Sequence, residues 1–320
     1  MTASLFRTSS ASWLRRGAVF LILIALMLFF TLQSERFLQV GNLGNVIEQN
    51  AYIVVAAIGV ALTMILNGID LSVGSVAALA GAITAGLMVR NGWALAPTII
   101  AGLLIGLLAG AINGALVVFG KLPPFVVTLA MLGVARGLML VYTEGRPIAV
   151  RETDYMLLST DVFGNLPMVI VIALLVTVCA WLLMTRTQFG LHIYAVGGNE
   201  ETARLAGVPV ERVKILTYAI SGMCAAIAGI MLTAQFASAQ PRAGDGLELT
   251  AIAAAVLGGV SLFGGIGNVF GLLAGVFIVG VLSNGMNLLR IDPYPKQIIQ
   301  GIVLVLAVSI DMYTKRIESR

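Results

Sequence analysis

The sequence has little charge, two cysteines and one histidine, and these shortages narrow its class. Only 11% of its 320 residues are Asp, Glu, Lys or Arg, while 59% are hydrophobic. Soluble domains carry about 25% charged residues, so this composition excludes an ordinary water-soluble fold and indicates a protein embedded in lipid. Cys179 and Cys224 lie in apolar runs without a C-x-x-C motif, and His192 is the only histidine. We therefore expect no disulfide framework, no metal site and no cofactor.

The sequence also lacks the motifs of the common enzyme classes. None of its lysines lies in the G-x-x-x-x-G-K-[S/T] loop that binds nucleotide phosphates, and neither a G-x-S-x-G nor an H-E-x-x-H motif occurs. The net charge of +4 comes from residues scattered among loops, without a basic stripe that interleaves aromatic side chains. Catalysis by this chain and binding of nucleic acid are therefore both disfavoured.

What the sequence does contain is a series of apolar runs long enough to cross a bilayer, which takes about twenty helical residues. We predict an all-α polytopic bundle of about ten transmembrane helices, in one domain of residues 1–320. The predicted spans are 17–33, 50–66, 72–89, 93–119, 124–142, 167–185, 213–234, 248–262, 268–289 and 297–313. The run 248–262 is short and is a candidate re-entrant segment.

The N-terminal arm sets the predicted orientation. Arg7, Arg15 and Arg16 precede the first apolar run, and the arm has no acidic residue. Positive charge is retained on the cytoplasmic side, so we expect both termini in the cytoplasm. The first run is long and lacks a small-x-small cleavage site, which favours a retained span over a signal peptide.

The segment 186–212 is predicted to be a cytoplasmic loop that contains a two-turn helix, 200–206. Its boundary signals are a capping residue, Asn199, two acidic residues in the first turn, Glu200 and Glu201, and a C′ glycine, Gly207. Ala203 and Ala206 would give this helix a small-residue face that another protein can approach closely. The alternative is an ordinary surface helix.

A few polar residues are predicted at membrane depth, where charge is costly and usually has a structural or functional reason. Asp70 or Ser72 could cap the helix that begins there, or both could form a gate or line a pathway together with Asn67. Arg136 could extend to the membrane interface or pair with Glu144, or it could line the pathway.

Glycines repeat every four residues at Gly102, Gly106 and Gly110. Such a face lets two helix backbones pack closely in lipid, and we predict packing as its role.

Five collinear motifs resemble the ribose-type permeases of ATP-driven, binding-protein-dependent (ABC) importers. They are NGIDLSVGS (67–75), VYTEG (141–145), GLHIYAVGGNE (190–200, followed by AGV at 206–208), SAQPRAG (238–244) and VLGG (256–259). The resemblance extends over about residues 40 to 310, in the order that the family has. It implies an inner-membrane protein of bacteria.

This resemblance implies partners and site residues. ATP-binding subunits would dock on the coupling loop 186–212, at Gly190, Gly197, Gly198, Asn199, Glu200, Glu201, Arg204 and Gly207. A periplasmic sugar-binding protein would dock on the outer loops, at Glu144, Arg146, Gln240 and Arg242. A second copy or a paralogue of the permease would complete the pathway.

The resemblance further implies import of a monosaccharide, a pentose or a hexose, by alternating access. More distant relatives move nucleosides or branched-chain amino acids, so the solute stays open. An ion-coupled secondary transporter of a small polar solute is the alternative, although such proteins usually place ionisable residues near the midplane. A membrane scaffold would leave the capped helix unexplained.

Overall fold

The computed structural model describes residues 7–292 except 152, 163 and 165, and the single residues 295, 298, 299, 301, 302, 305 and 309, with no side chains described for 7–18. Within residues 7–292 the α-helices are α1 Arg7–Gln33, α2 Val40–Ile65, α3 Val73–Val89, α4 Leu95–Val118, α5 Pro124–Thr143, α6 Met168–Arg186, α7 Gln188–Gly198, α8 Glu200–Leu205, α9 Val210–Gln235, α10 Leu247–Leu257 and α11 Val269–Leu288. Most of the predicted span 297–313 lies outside the described residues.

Short strands join the loops at one end of the bundle. Strand β1 (Ile148–Ala149) pairs antiparallel with β4 (Ser238–Ala239), and β2 (Asp161–Val162) pairs with β3 (Leu166–Pro167). A 3₁₀ helix, Asp154–Ser159, lies between β1 and β2. The described residues of the loop between α5 and α6 therefore cover this end of the bundle, with Tyr155 and Leu158 buried.

In the part of the chain that the structure describes, six helices are long and apolar enough to cross a membrane: α2, α4, α5, α6, α9 and α11. The chain is thus a polytopic helical membrane protein. Every predicted span from 17–33 to 268–289 coincides with a helix, but α3 and α10 have only 17 and 11 residues. At 1.5 Å per residue they rise about 25 and 16 Å, and α10 is too short to cross the roughly 30 Å hydrocarbon core.

Helix α2 begins at Val40, well before the predicted start at residue 50. Its first turns carry Asn42, Asn45, Glu48 and Gln49, which lower the local hydropathy without interrupting the helix. A hydropathy criterion therefore places the start of this helix too late.

The predicted glycine face on α4 packs against α9, which confirms its role. A Cβ added at Gly106 would lie 2.2 Å from the carbonyl oxygen of Gly222, and one at Gly110 would lie 2.0 Å from that of Tyr218. Backbone-to-backbone contact of this kind needs residues without side chains, as is usual between helices in lipid.

Helices α3 and α10 begin beside each other inside the bundle and run in opposite directions. Asp70, just before α3, bonds to Ser221 near the middle of α9. Gly74 in the first turn of α3 touches the segment that leads into α10, because a Cβ there would lie 2.3 Å from the carbonyl oxygen of Gly244. From this meeting point α10 runs to the end of the bundle at which α8 lies, and α3 runs to the other. We call these the α8 end and the opposite end.

Candidate functional site

The predicted helix in the loop 186–212 is present as α8. The Asn199 side chain accepts a hydrogen bond from the backbone N–H of Thr202 (2.8 Å), and Gly207 follows with φ +84°. Both boundary signals therefore work as the sequence predicts, with the helix ending at Leu205, one residue before the predicted end. The side-chain cap removes one unpaired donor, and the acidic first turn complements the helix dipole.

Helix α7, which the sequence analysis missed, holds α8 against the bundle. Thr187 caps it by accepting a hydrogen bond from the N–H of Gly190 (3.2 Å). At its C-terminal end Gly197 lies on the last turn of α2, where a Cβ would be 1.7 Å from the carbonyl oxygen of Ile65. A Cβ at Gly198, the next residue, would have no neighbour within 4 Å. Helix propensities do not predict this helix, because glycine disfavours a helix and three of its residues are glycines, at positions 190, 197 and 198.

Ion pairs tie α8 to the start of α9. Glu200 pairs with Lys214 (2.6 Å), and Arg204 pairs with both Glu211 and Glu200, the latter at 3.3 Å. Hydrogen bonding and attraction to Glu211 raise the pKa of the Arg204 guanidinium. These exposed pairs are individually weak, but together they orient the short helix. Glu200 and Arg204, predicted docking residues, are thus engaged within the chain, whereas Glu201 is exposed.

The predicted small-residue face of this helix is wrong in one position. Ala203 is 4% exposed and is buried against the chain's own core, so it offers nothing to a partner. The outward face instead presents Leu205, a residue that is 81% exposed, beside Ala206. Because an α-helix has 3.6 residues per turn, the sequence alone could have predicted that Ala203 and Leu205 lie on opposite faces of the helix.

Asp70 lies at the centre of a buried polar network. It is 1% exposed, and its carboxylate accepts hydrogen bonds from the N–H and hydroxyl of Ser72 (2.9 and 2.6 Å) and from the hydroxyl of Ser221 (2.8 Å). Asn113 on α4 donates to the Ser72 hydroxyl (3.0 Å). The carboxylate thus holds the backbone at the start of α3 and also joins that start to α4 and α9. The predicted capping is therefore wrong, because neither Asp70 nor Ser72 accepts a hydrogen bond from the first backbone N–H groups of α3, and Asp70 instead closes a turn before the helix and joins it to α9.

Asn67 lies between this network and α7. It adopts a left-handed backbone, φ +67°, just beyond α2, and it touches Gly264 in the loop before α11. A cavity of about 130 Å³ opens here between Asn67, Gly198 and Tyr218. The hydroxyl of Tyr218 is buried without a hydrogen-bond partner among the described residues. Of the three predicted residues, Asn67 therefore lies beside the α7–α8 segment.

Arg136 binds the loop that leads into α10. Its guanidinium forms an ion pair with Asp245 (2.8 Å) and donates hydrogen bonds to the carbonyl oxygens of Pro241 and Ala243 (3.1 and 2.9 Å). The predicted pairing with Glu144 is wrong, because Glu144 is an exposed residue that ends α5 in a left-handed conformation. Nearness in sequence favoured Glu144, but the folded chain brings Asp245 closer.

The four predicted docking residues at the opposite end come from two segments that the fold joins. Glu144 and Arg146 precede β1, whereas Gln240 and Arg242 follow its partner β4. All four are exposed. Arg242 also lies 3.5 Å from Asp245 with a side chain that is 93% exposed. Within the described part of the chain, no three His, Cys, Asp or Glu side chains are grouped so that they could hold a metal ion.

Comparison with known proteins agrees with this architecture. The chain matches the family described as branched-chain amino acid transport system / permease component over residues 42–308. It is 38% identical to the ribose import permease protein RbsC of Escherichia coli strain K12, over 97% of this chain and 98% of that protein. It is 42% identical to RbsC of Bacillus subtilis strain 168, over 91% of each chain, and 35% identical to the D-allose transport system permease protein AlsC of E. coli K12, over 93% of this chain and 92% of that protein.

No solved structure matches the chain. The family match covers most of the chain, and each of these relatives aligns over nearly its full length. The residues that carry the motifs at 67–75 and 190–200 are also those that the fold brings together around α7, α8 and the Asp70 network. The chain therefore belongs to the permease family that includes the ribose import permeases, and it is the membrane-spanning subunit of a transporter, not an enzyme.

Proposed function

We propose that this permease, a multi-pass protein of the bacterial inner membrane, carries a monosaccharide of the pentose or hexose class inward by alternating access. The relatives are named as permeases for ribose and for allose, and the alignments cover nearly the whole of those proteins. The observation that carries the proposal is the capped helix α8, seated by Gly197 on the last turn of α2. It gives a partner at the α8 end a direct contact with the core of the bundle.

In this proposal the α8 end faces the cytoplasm and receives the ATP-binding subunits, through the coupling loop 186–212. The three arginines of the N-terminal arm support this orientation under the positive-inside rule. Both termini are then cytoplasmic, with about ten helical segments, one of them the span 297–313. A second permease, a copy or a paralogue, completes the assembly.

The exposed surface of α8 supplies the docking contact. Leu205 is an exposed apolar side chain at the end of a helix whose other sides are charged or buried. An apolar anchor that fills a pocket on a partner is the usual centre of such an interface. We propose that Leu205 and Glu201 contact the ATP-binding subunit, while Glu200 and Arg204 hold α8 in position.

At the opposite end we propose that a periplasmic binding protein docks on the surface formed by Glu144, Arg146, Gln240 and Arg242. Exposed charges of both signs on two joined segments suit electrostatic steering of a transient partner. Arg136 would transmit that contact inward, since it holds the segment that contains Asp245 and leads into α10.

The decisive test is recovery of an ATP-binding subunit with the tagged permease in mild detergent. We expect Leu205→Glu to weaken this association by about 30-fold, since losing an apolar anchor costs about 2 kcal/mol. Leu157→Glu is the matched control, because Leu157 is also an exposed leucine of a short helix, at the opposite end of the bundle. Equal recovery with both variants would contradict the assignment of α8.

A second measurement separates the importer from an ion-coupled transporter. Sugar uptake by cells should persist when the membrane potential is collapsed and should stop when ATP is depleted. Uptake with the reverse dependence would favour the ion-coupled alternative.

A further inference from the structure

A polar cleft opens at the opposite end of the bundle, between the first turns of α2, the end of α9 and the second half of α11. Its volume is about 500 Å³, within the range of roughly 300–1,000 Å³ for small-molecule sites. Asn45, Glu48, Gln49, Tyr52, Phe236 and Ser283 are among the residues that line it. This composition is unusual for membrane-spanning helices that are otherwise apolar.

The polar residues of α2 share one face of the helix. Asn45, Glu48, Gln49 and Tyr52 are spaced three and four residues apart, so their side chains point in similar directions. Glu48 lies about 12 Å along α2 from Val40, which places an ionisable group within a spanning helix. Such a group is costly in lipid and is expected where it faces a water-filled cavity.

Hydrogen bonds within the chain fix the walls of the cleft but leave part of its lining unused. Gln235 donates to the carbonyl oxygen of Glu48 (2.7 Å), and Asn284 exchanges amide hydrogen bonds with Asn42 (3.0 and 3.1 Å). Among the described residues, the Glu48 carboxylate and the Gln49 amide make no such bond. These two groups are therefore available to a solute.

The cleft continues toward the interior of the bundle. A second cavity, of about 240 Å³, shares Tyr52, Ile53 and Phe236 with the first. It extends to Gly244 and Leu247 at the start of α10, where α10 meets α3. The two cavities together lead from the opposite end of the bundle toward its middle.

We propose that this cleft is a sugar-binding site of the permease itself, on the route inward. This proposal rests on the function proposed above. A carboxylate accepts two hydrogen bonds, and an amide both donates and accepts, so Glu48 and Gln49 can bind the hydroxyl groups of a monosaccharide. Tyr52 and Phe236 supply flat apolar surfaces for the C–H face of the sugar ring. Glu48 and Gln49 therefore select a polyhydroxylated solute over an apolar one.

The test compares Glu48→Gln and Gln49→Leu with Ile47→Ala in proteoliposomes that contain the whole transporter. Ile47 is the matched control, since it neighbours both residues on α2 but does not line the cleft. With radiolabelled D-ribose outside and ATP available, we expect each cleft variant to move about tenfold less ribose per ATP hydrolysed. The control should match the wild type. The proposal would be overturned if both cleft variants moved as much ribose per ATP hydrolysed as the wild type. It would also be overturned if the variants lost the ATP-binding subunits, because these residues would then be assembly contacts.

A second measurement needs no ATP-binding subunit. In a Cys179→Ala background, Gln49→Cys should react with a membrane-impermeant maleimide, and D-ribose should slow that reaction severalfold. The remaining Cys224 is buried and is not expected to react. A rate unchanged by ribose would overturn the cleft assignment even if ATP-driven uptake is normal. If ribose protects Gln49→Cys but no ATP-binding subunit is recovered with the permease, the assignment of the cleft as a sugar site stands and the proposed importer function is contradicted.

Discussion

Gly197 and Gly198 are adjacent glycines with opposite surroundings, so one substitution made at each tests how α8 is coupled to the bundle. A Cβ at Gly197 would lie 1.7 Å from the carbonyl oxygen of Ile65 and 2.9 Å from the backbone nitrogen of Gly265. At Gly198 no atom lies within 4 Å of the added carbon. Alanine at the first position therefore forces neighbouring backbone to shift, whereas the second position accommodates it.

The cost at Gly197 follows from two contacts. Ordinary contact begins at 3.4 Å, so α7 and α2 would have to separate by more than 1 Å. Overpacking of this kind costs about 1–3 kcal/mol. The shift would also break the hydrogen bond from the N–H of Gly265 to the Ile65 carbonyl oxygen (2.9 Å), worth about 1 kcal/mol. We expect Gly197→Ala to cost about 2–4 kcal/mol in local packing, and Gly198→Ala to cost nothing.

The assay measures association and transport separately. Because the outward face of α8 is unchanged, Gly197→Ala should still recover the ATP-binding subunits, yet ATP hydrolysis should no longer drive uptake. Gly198→Ala should keep both. Equal uptake by the two variants would refute the reasoning, since the contact with Ile65 would then carry no coupling.

Two further predictions use pairs of matched positions. Gly106→Ala should lower the melting temperature in detergent, because the added carbon forces α4 away from α9. Gly133→Ala should leave the melting temperature unchanged or raise it, because nothing lies within 4 Å of the added carbon and alanine favours a helix over glycine by about 1 kcal/mol. Equal shifts in the two variants would contradict the packing argument. Arg136→Gln should reduce uptake at least tenfold by leaving Asp245 and two carbonyl oxygens without their partly buried partner. Arg36→Gln should change uptake less than twofold, because Arg36 is exposed and its side chain forms no ion pair or hydrogen bond among the described residues. Uptake assays on both variants check this, and equal effects would refute it.

The parts of this fold that sequence predicts are those encoded locally. The apolar runs locate the long helices, and Asn199 and Gly207 locate the boundaries of α8, because capping depends on neighbouring residues. Helix α7 could not be predicted in this way, because its glycines are required by contacts with Leu183 and Ile65 that a single sequence does not reveal.

The candidate site was predicted less fully because its contacts are distant in sequence. Asp70 stands out as an acid near lipid depth, but its bond to Ser221 joins residues 151 positions apart. The true partner of Arg136 is likewise remote. The polar face of α2 was visible in the sequence at spacings of three and four residues, and hydropathy averaging removed it from the predicted span.

The meeting of α3 and α10 suggests where the permease would change conformation with the least rearrangement. Irregular backbone inside a membrane protein is tolerated only where it is buried in protein or lines a cavity, and the segments 66–72 and 240–246 both line cavities. The Glu248 carboxylate lies against Gly74, between two helix N-termini whose dipoles favour negative charge. These segments separate the polar cleft at the opposite end from the α7–α8 contact. We propose that a gate formed by these segments moves α3 and α10 while the glycine-packed pair α4 and α9 stays intact.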